Sequence, residues 1–288
     1  MNQVLPFTNE RKAFTECFTR SPEGGSTKEN RTICISDVHL GTKDCKAEQL
    51  DYFLKKHDCD TLYLVGDIVD GWQISKKIHW DRSYTKLVRR LLKLAKSGTT
   101  IYYITGNHDE FLRRFTNNNF DNIHILNRHV YHNADHRKLL ILHGDQFDGV
   151  ARCHGLLKFV GDKGYDVLMG LSRLYNRIRH AFGHDYWSLS SFVKQRIPRA
   201  NRYIHDYEHG AALACKKQGY DGIVCGHIHH PAIKKIEGVD YYNTGDWVES
   251  CTALMEDQVG NITLKYWFKE PKQQNKDFVQ KNREARVA

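Results

Sequence analysis

The chain of 288 residues lacks the patterns that define membrane-spanning, secreted or thiol-based proteins. No stretch approaches the roughly 20 consecutive apolar residues that span a bilayer. The first residues, MNQVLPFTNERKAF, lack the apolar core of a signal peptide. The eight cysteines are scattered without a CxxC pair, which argues against a zinc ribbon or a disulfide framework. We therefore expect a cytoplasmic protein whose cysteines are reduced and mostly structural.

The composition indicates a globular protein with an anionic partner. Apolar residues make up 40% of the chain, and the formal net charge is +9 with a pI near 9.0. Such a charge favours nucleic acid, an anionic membrane surface or a phosphorylated substrate. The sequence has no base-stacking motif of the RNP kind, so nucleic acid is the least favoured of the three. Nothing in the sequence indicates an oligomeric state.

The order of apolar segments predicts one α/β domain over residues 31–268, with a polar extension at 1–30 and a basic tail at 269–288. In the first half, apolar strands such as TICIS and TLYLV alternate with helical patterns at 47–57 and 84–97. This alternation is typical of a parallel sheet with crossover helices. Residues 151–218 have helical spacing and form a predicted insertion, and the short β-like runs after residue 231 look antiparallel.

Polar side chains with metal-binding capacity follow five of the predicted strands directly. Strand ends of an open α/β sheet converge on one crevice, so these groups should meet although they are far apart in sequence. In an extended D-x-H segment the first and third side chains face the same way, so Asp37 and His39 could grip one ion. The groups are Asp37 and His39, Asp67 and Asp70, Asn107 with His108 and Asp109, His143 and Asp145, and His227 and His229.

These donors suit a pair of divalent cations. A carboxylate such as Asp67 has two oxygens and can bridge two ions, and mixed His, Asp and Asn donors suit Mn²⁺, Fe or Zn²⁺. Two divalent ions keep a net positive charge after two carboxylates and a bridging hydroxide, which favours phosphate esters as substrates. The alternative is that each strand-end Asp or His is an ordinary turn residue. That alternative is reasonable for one motif but not for five in order.

The segments SDVHLG, GDIVD, GNHD, HGD and GHIHH, spread over residues 36–230, resemble the five motifs of the calcineurin-like metallophosphoesterase superfamily. The resemblance implies a four-layer α-β-β-α sandwich of two mixed sheets and a hydroxide nucleophile between two metals. His108 would act at the substrate phosphate, with Asp109 orienting its ring. The implied ligands are Asp37, His39, Asp67 and His229 for one metal and Asp67, Asn107, His143 and His227 for the other, with Asn107 and His227 also near the substrate.

Further motifs resemble the UDP-2,3-diacylglucosamine pyrophosphatase group within that superfamily. They are GDIVDGW, HGDQFD, the helical insertion and NTGDWVESCTALME. The resemblance implies Mn²⁺ as the metal and hydrolysis of the pyrophosphate of a lipid A precursor, at the cytoplasmic face of the inner membrane. One position departs, because well-studied members of the group read GNRD where this chain reads GNHD.

Several alternatives remain open at this stage. The enzyme could act on another phosphodiester, or the chain could be a non-catalytic scaffold on the same fold. The insertion could pack as core or could line an acyl-chain groove and rest on anionic lipid. Asp70 and Asp145 are expected to support ligands, Asp246 to cap a turn, and His230 to point away from the metals.

Overall fold

The computed structural model describes residues 28–149, 175–176, 179 and 198–267. The predicted tail at 269–288, nearly all of the extension at 1–30 and most of the insertion at 151–218 lie outside these residues. The expected domain boundaries therefore remain predictions.

The first sheet has seven strands: β1 (Asn30–Ile35), β2 (Cys59–Val65), β3 (Thr100–Ile104), β4 (Asn118–Phe120), β5 (Ile123–Leu126), β11 (Thr252–Asp257) and β12 (Ile262–Tyr266). They lie in the order β12-β11-β1-β2-β3-β5-β4. Strands β1, β2, β3 and β5 run parallel, and β4, β11 and β12 join them antiparallel at the two edges. The parallel strands at the centre of the sheet confirm the prediction that was made from the alternation of strands and helices in the first half of the sequence.

The second sheet has five strands: β6 (Arg128–His132), β7 (Lys138–Leu142), β8 (Gly222–Cys225), β9 (Ala232–Ile236) and β10 (Val239–Asn243). They lie in the order β6-β7-β8-β10-β9. The prediction that the runs after residue 231 are antiparallel is right for β9 with β10 and for β11 with β12. It is wrong for the other edge of β10, which pairs parallel with β8.

Three apolar layers hold two sheets and two sets of helices together. Strand alternation sends Ile33 and Ile35 of β1 toward the helices, while Cys34 enters the layer between the two sheets. Tyr207 and Cys215 of the last helix pack on the outer face of the second sheet. The expected four-layer α-β-β-α arrangement is confirmed. In the described part of the chain, the α-helices with both ends defined are α1 (Ala47–Lys56), α2 (Gly71–Lys76), α3 (Arg82–Lys96) and α4 (Pro198–Lys217).

Backbone hydrogen bonds join the loops that follow the parallel strands. The Asp37 amide donates to the Gly66 carbonyl at 3.0 Å, and the His39 amide donates to the Asp67 carbonyl at 2.9 Å. In the second sheet the Gly226 amide donates to the His143 carbonyl at 3.0 Å. These bonds position the polar strand ends relative to one another. No helix in the described part of the chain combines the length and apolar character needed to cross a bilayer.

Candidate metal centre

The six predicted Asp and His ligands come together as two adjoining clusters. The first consists of Asp37, His39 and His229, and the second of Asp67, His143 and His227. Within each cluster the potential ligand atoms lie within 4.8 Å of one another. His39 and Asp67 also share a third such group with His108, so the two clusters are continuous.

Asp67 lies between the clusters and presents one oxygen to both. Its Oδ1 accepts a hydrogen bond from the His108 amide at 2.8 Å. Its Oδ2 is 3.2 Å from His143 Nε2 and 4.0 Å from His39 Nε2. The bridging role of Asp67 stays a prediction, and in this geometry the oxygen Oδ1 also accepts a backbone amide. Oδ2 alone faces both clusters.

The two carboxylate oxygens of Asp37 also have different contacts, one with hydrogen-bond donors of the loops and the other with the first cluster. Its Oδ2 accepts hydrogen bonds from the Ser36 hydroxyl and, at 3.0 Å, from the His227 amide. Its Oδ1 lies 3.2 Å from His229 Nε2. The side chain is fully buried, so its orientation is set by these contacts.

The buried polar atoms of this region fit a cation. Burying a polar atom without a partner is costly, and such atoms in native proteins usually indicate a ligand, an ion or water. Four atoms of the predicted ligands are buried and make no hydrogen bond within the described residues: Asp37 Oδ1, His39 Nε2, Asn107 Oδ1 and His143 Nε2. All four belong to side chains of types that bind metal ions, and none is a thiolate. The donor set therefore suits Mn²⁺, Fe or Zn²⁺.

The backbone at these ligands is unusual. Five predicted ligands that are not glycine have positive φ, a region that side chains rarely adopt: Asp37 at 51°, His39 at 52°, Asp67 at 54°, His227 at 68° and His229 at 51°. The premise that Asp37 and His39 sit on an extended strand is thus wrong, although both reach the same cluster. Such local strain is typical of functional sites.

Glycines next to the ligands allow the loops to approach closely. A Cβ at Gly106 would overlap Asp67 Oδ1, and a Cβ at Gly226 would overlap Ser36 Oγ and Asp37 Oδ2. Steric crowding therefore explains why GNHD and GHIHH have glycine at these positions. A side chain at either position would displace a ligand carboxylate.

His108 lies at the edge of the centre and is held by Asp70. Its Nδ1 is 3.0 Å from Asp70 Oδ2, its Nε2 is 4.0 Å from Asp67 Oδ2, and its ring lies 4.2 Å from the Trp72 ring. The same Asp70 oxygen is 3.1 Å from His39 Nδ1. Asp70 thus contacts both rings, and its role in supporting the ligands stays a prediction.

Asp109 does not contact the His108 ring, so its predicted orienting role is wrong. The buried Asp109 carboxylate accepts hydrogen bonds from the Gly106 amide at 2.5 Å, the Ile68 amide at 2.9 Å and the Tyr103 hydroxyl at 2.6 Å. These bonds fasten the GNHD loop to the GDIVD loop. The carboxylate that does contact the His108 ring is that of Asp70, the second aspartate of GDIVD.

The electrostatics of the centre reflect opposite charges held at close range. Burial alone would raise the pKa of Asp37 and of Asp67, but His229 lowers the first and His143 lowers the second, so both lie below the usual range. Burial would lower the pKa of His143, but Asp67 outweighs it and raises that pKa to about 10. Burial likewise opposes protonation of His108, but Asp70 and Asp67 raise its pKa above the ordinary value.

The remaining polar residues singled out by the sequence have different outcomes. The Asp145 carboxylate forms an ion pair with Arg113 at 2.9 Å, and Arg113 is not one of the predicted metal ligands. Asp246 caps a turn, accepting from the Val248 amide at 2.8 Å, as expected. His230 belongs to none of the three clusters found among the described residues. Sequence reasoning missed Asp148, whose Oδ1 is 2.8 Å from His227 Nε2.

The paired clusters on a four-layer sandwich define a metal-dependent hydrolase. Residues 31–231 match the family model for calcineurin-like phosphoesterase, and the chain belongs to that family.

Curated relatives cover most of the chain. A UDP-2,3-diacylglucosamine hydrolase of Psychromonas ingrahamii is 25% identical over 258 residues, which are 81% of this chain and 96% of the relative. One of Aliivibrio fischeri is 30% identical over 246 residues, 77% of this chain and 92% of the relative. Among solved structures, an archaeal phosphodiesterase aligns over 82% of this chain and 98% of its own with 14% identity and a TM-score of 0.38.

Proposed function

We propose that the chain hydrolyses the pyrophosphate of UDP-2,3-diacylglucosamine or a similar nucleotide-diphospho-sugar lipid, giving UMP and an acylated sugar 1-phosphate. The observation that carries the proposal is Asp67 Oδ2, which faces His143 at 3.2 Å and His39 at 4.0 Å and so joins two ligand clusters. Paired divalent ions are suited to displacement at phosphorus. The substrate comes from the hydrolases to which the chain is similar over 92% and 96% of their length.

Seven side chains would hold the two ions, with Mn²⁺ as the proposed metal. Bound ions of this kind supply Lewis-acid charge that activates water and neutralises phosphate oxygens. The protein contributes rings and carboxylates whose other atoms are already fixed, as for His143, whose Nδ1 bonds the Val65 carbonyl at 2.9 Å. The first ion would be held by Asp37, His39, Asp67 and His229, and the second by Asp67, Asn107, His143 and His227.

His108 would act at the leaving phosphate oxygen. Asp70 holds its Nδ1 at 3.0 Å, so Nε2 is the nitrogen left to face the substrate. Because its pKa is raised, the ring carries a proton at neutral pH more readily than a free histidine does. Nε2–H would therefore stabilise charge on that oxygen or donate its proton to it.

The substrate lipid would be met at an anionic membrane surface by an exposed strap, residues 72–82. The strap contains Ile78, which is 74% exposed, and Trp80, which is 46% exposed. Lys76, Lys77 and Arg82 flank them in the sequence, and Asp81 is the only acidic residue of the strap. An interfacial indole and several cations favour binding to anionic headgroups. The strap adjoins the centre through the contact between Trp72 and His108.

The activity is tested with the purified chain, Mn²⁺ and UDP-2,3-diacylglucosamine, with UMP release as the readout. We expect His143→Ala to abolish release, because it removes a buried ligand. His132→Ala, which changes an exposed histidine, is the matched control and should retain wild-type activity. Equal activity in His143→Ala would reject the metal centre.

A generic aryl phosphodiester separates the rival functions. Turnover of this compound without turnover of the lipid would reject the lipid substrate and favour a phosphodiesterase of another specificity, which the charge of +9 permits. Absence of both metal binding and turnover would favour a non-catalytic scaffold.

The strap is tested by sedimentation with lipid vesicles. Wild-type protein should sediment with phosphatidylglycerol vesicles and not with phosphatidylcholine vesicles. The double variant Ile78→Ser with Trp80→Ser should remain in the supernatant while hydrolysing the soluble aryl diester normally. Sedimentation of the double variant at the wild-type level would reject the strap as the membrane contact.

A further inference from the structure

A carboxylate outside the predicted ligand set contacts one of the proposed metal ligands. Asp148 lies just after His143 in the chain, and its Oδ1 is 2.8 Å from His227 Nε2. Tyr203, from α4, donates its hydroxyl to the same oxygen at 2.7 Å. The three side chains thus link α4, the loop after β7 and the loop after β8.

This contact determines which nitrogen of His227 is available. A neutral imidazole has one N–H donor and one nitrogen with a free lone pair. Since a carboxylate only accepts, Nε2 carries the hydrogen that faces Asp148. Nδ1 is then the nitrogen with the lone pair, and His227 offers one ring nitrogen to the cluster with Asp67 and His143.

Two other proposed ligands are held in the same manner. His39 Nδ1 is 3.1 Å from the Asp70 carboxylate, and His143 Nδ1 bonds the Val65 carbonyl at 2.9 Å. In both rings Nε2 is buried without a hydrogen bond. Metal-binding histidines usually donate their second N–H to a carboxylate or a carbonyl, which fixes the tautomer and the ring orientation. Asp148 contacts one ring nitrogen of His227, just as Asp70 contacts one ring nitrogen of His39.

The backbone of His227 is fixed independently of its ring. Its amide donates to Asp37 Oδ2 at 3.0 Å, and its φ is 68°. The His227 ring also lies against the rings of His143 and Tyr207, with centroids 5.1 and 6.1 Å away, and Asp148 adds a hydrogen bond that distinguishes its two nitrogens. The Asp148 side chain is 50% exposed, so a substitution there removes little packing.

We propose that Asp148, braced by Tyr203, is a positioning residue that sets the tautomer and orientation of His227 for the second metal ion. The inference rests on the metal centre proposed above and extends it to α4. Loss of Asp148 should lower the affinity for the second metal ion, which Asp67, Asn107, His143 and His227 would hold. The affinity for the first metal ion should stay unchanged. Contacts of this type are worth about 10- to 100-fold in metal affinity.

The test is a calorimetric titration of metal-free protein with Mn²⁺, which resolves two binding steps without any substrate. In Asp148→Ala we expect one step to weaken about 10- to 100-fold and the other to keep its affinity. Asp148→Asn retains an acceptor oxygen and should recover most of the loss, and Tyr203→Phe should show a smaller loss in the same step. Asp206→Ala is the matched control, because Asp206 contacts the exposed His205 at 3.4 Å.

Unchanged affinity for both ions in Asp148→Ala would overturn the proposal. Equal weakening of both steps, or a lower melting temperature of the metal-free variant, would also overturn it, because that indicates general damage. The two proposals can fail separately. If the wild-type chain releases no UMP but Asp148→Ala still loses one binding step selectively, the lipid substrate is rejected and the role of Asp148 stays supported.

Discussion

Gly106 packs against two proposed ligands and leaves no room for a side chain. A Cβ there would overlap Asp67 Oδ1 and lie 2.9 Å from His143 Cδ2, whereas a Cβ at Gly149 would meet nothing within 4 Å. Crowding of this kind costs about 1–3 kcal/mol, a loss of about 5- to 150-fold in an equilibrium. We predict that Gly106→Ala weakens Mn²⁺ binding by that range in a calorimetric titration, while Gly149→Ala binds normally. Wild-type affinity in Gly106→Ala would contradict the steric argument.

The pairing of Asp70 with His108 predicts the basic limb of the pH–rate profile. An acid at the leaving oxygen must be protonated, so activity falls as pH rises through its pKa. Asp70 helps to raise that pKa, so removing its charge should move the limb to lower pH. We expect the basic limb of the profile to move to lower pH in Asp70→Asn, measured with the aryl diester at saturating Mn²⁺. A limb that stays in place, or one that moves to higher pH, would argue against His108 as the acid.

At the residue scale, the sequence predicted which side chains come together better than it predicted their backbone geometry. The order of the motifs was enough to predict that Asp37, Asp67 and His143 would meet. The left-handed φ of His39 and His229 could not be predicted, because positive φ is unfavourable for both and is stabilised by loop contacts from distant segments. The partner of the His108 ring depends on the same tertiary contacts.

At the scale of elements, Asp109 joins two loops and Tyr103 supports it from β3. The Tyr103 hydroxyl donates to Asp109 Oδ2 at 2.6 Å. Loss of one such hydrogen bond to a charged group costs about 1.5–3 kcal/mol. We predict that Tyr103→Phe lowers the free energy of unfolding by about that amount in a denaturant titration. The pH–rate profile should stay unchanged, because Asp109 does not contact the His108 ring. A shifted profile would return the orienting role to Asp109.

Element prediction succeeded where the apolar period was strong. The helical pattern at 84–97 corresponds to α3 (Arg82–Lys96), and the pattern at 47–57 to α1 (Ala47–Lys56). Strands β4 and β6 carry weak signals, since NNF is fully exposed and RHVYH has one buried residue. The parallel pairing of β10 with β8 depends on the second sheet as a whole. A short-range pattern does not contain that information.

At the scale of the whole molecule, the metal centre lies where the two sheets meet. Asp37, His39 and Asp67 follow strands of the first sheet, and His143, His227 and His229 follow strands of the second. Bound ions would therefore link the two sheets. Ligands that bind only the folded state stabilise it by about 2.7 kcal/mol each at 100-fold excess over the dissociation constant. We predict that chelation lowers the melting temperature by several degrees and that Mn²⁺ restores it. An unchanged melting temperature would contradict the link.

The charge of the metal-free centre makes ion binding depend on pH. Asp67 overcomes the effect of burial and raises the pKa of His143 from 6.5 to about 10, so the ring is protonated at neutral pH in the metal-free protein. A metal must displace that proton, so apparent affinity should rise with pH, by up to about tenfold per unit below pH 10. Calorimetry at pH 7 and pH 8, in buffers of different ionisation enthalpy, measures both the affinity and the proton released. Equal affinity at the two pH values, without proton release, would show that His143 is already neutral before the ion binds.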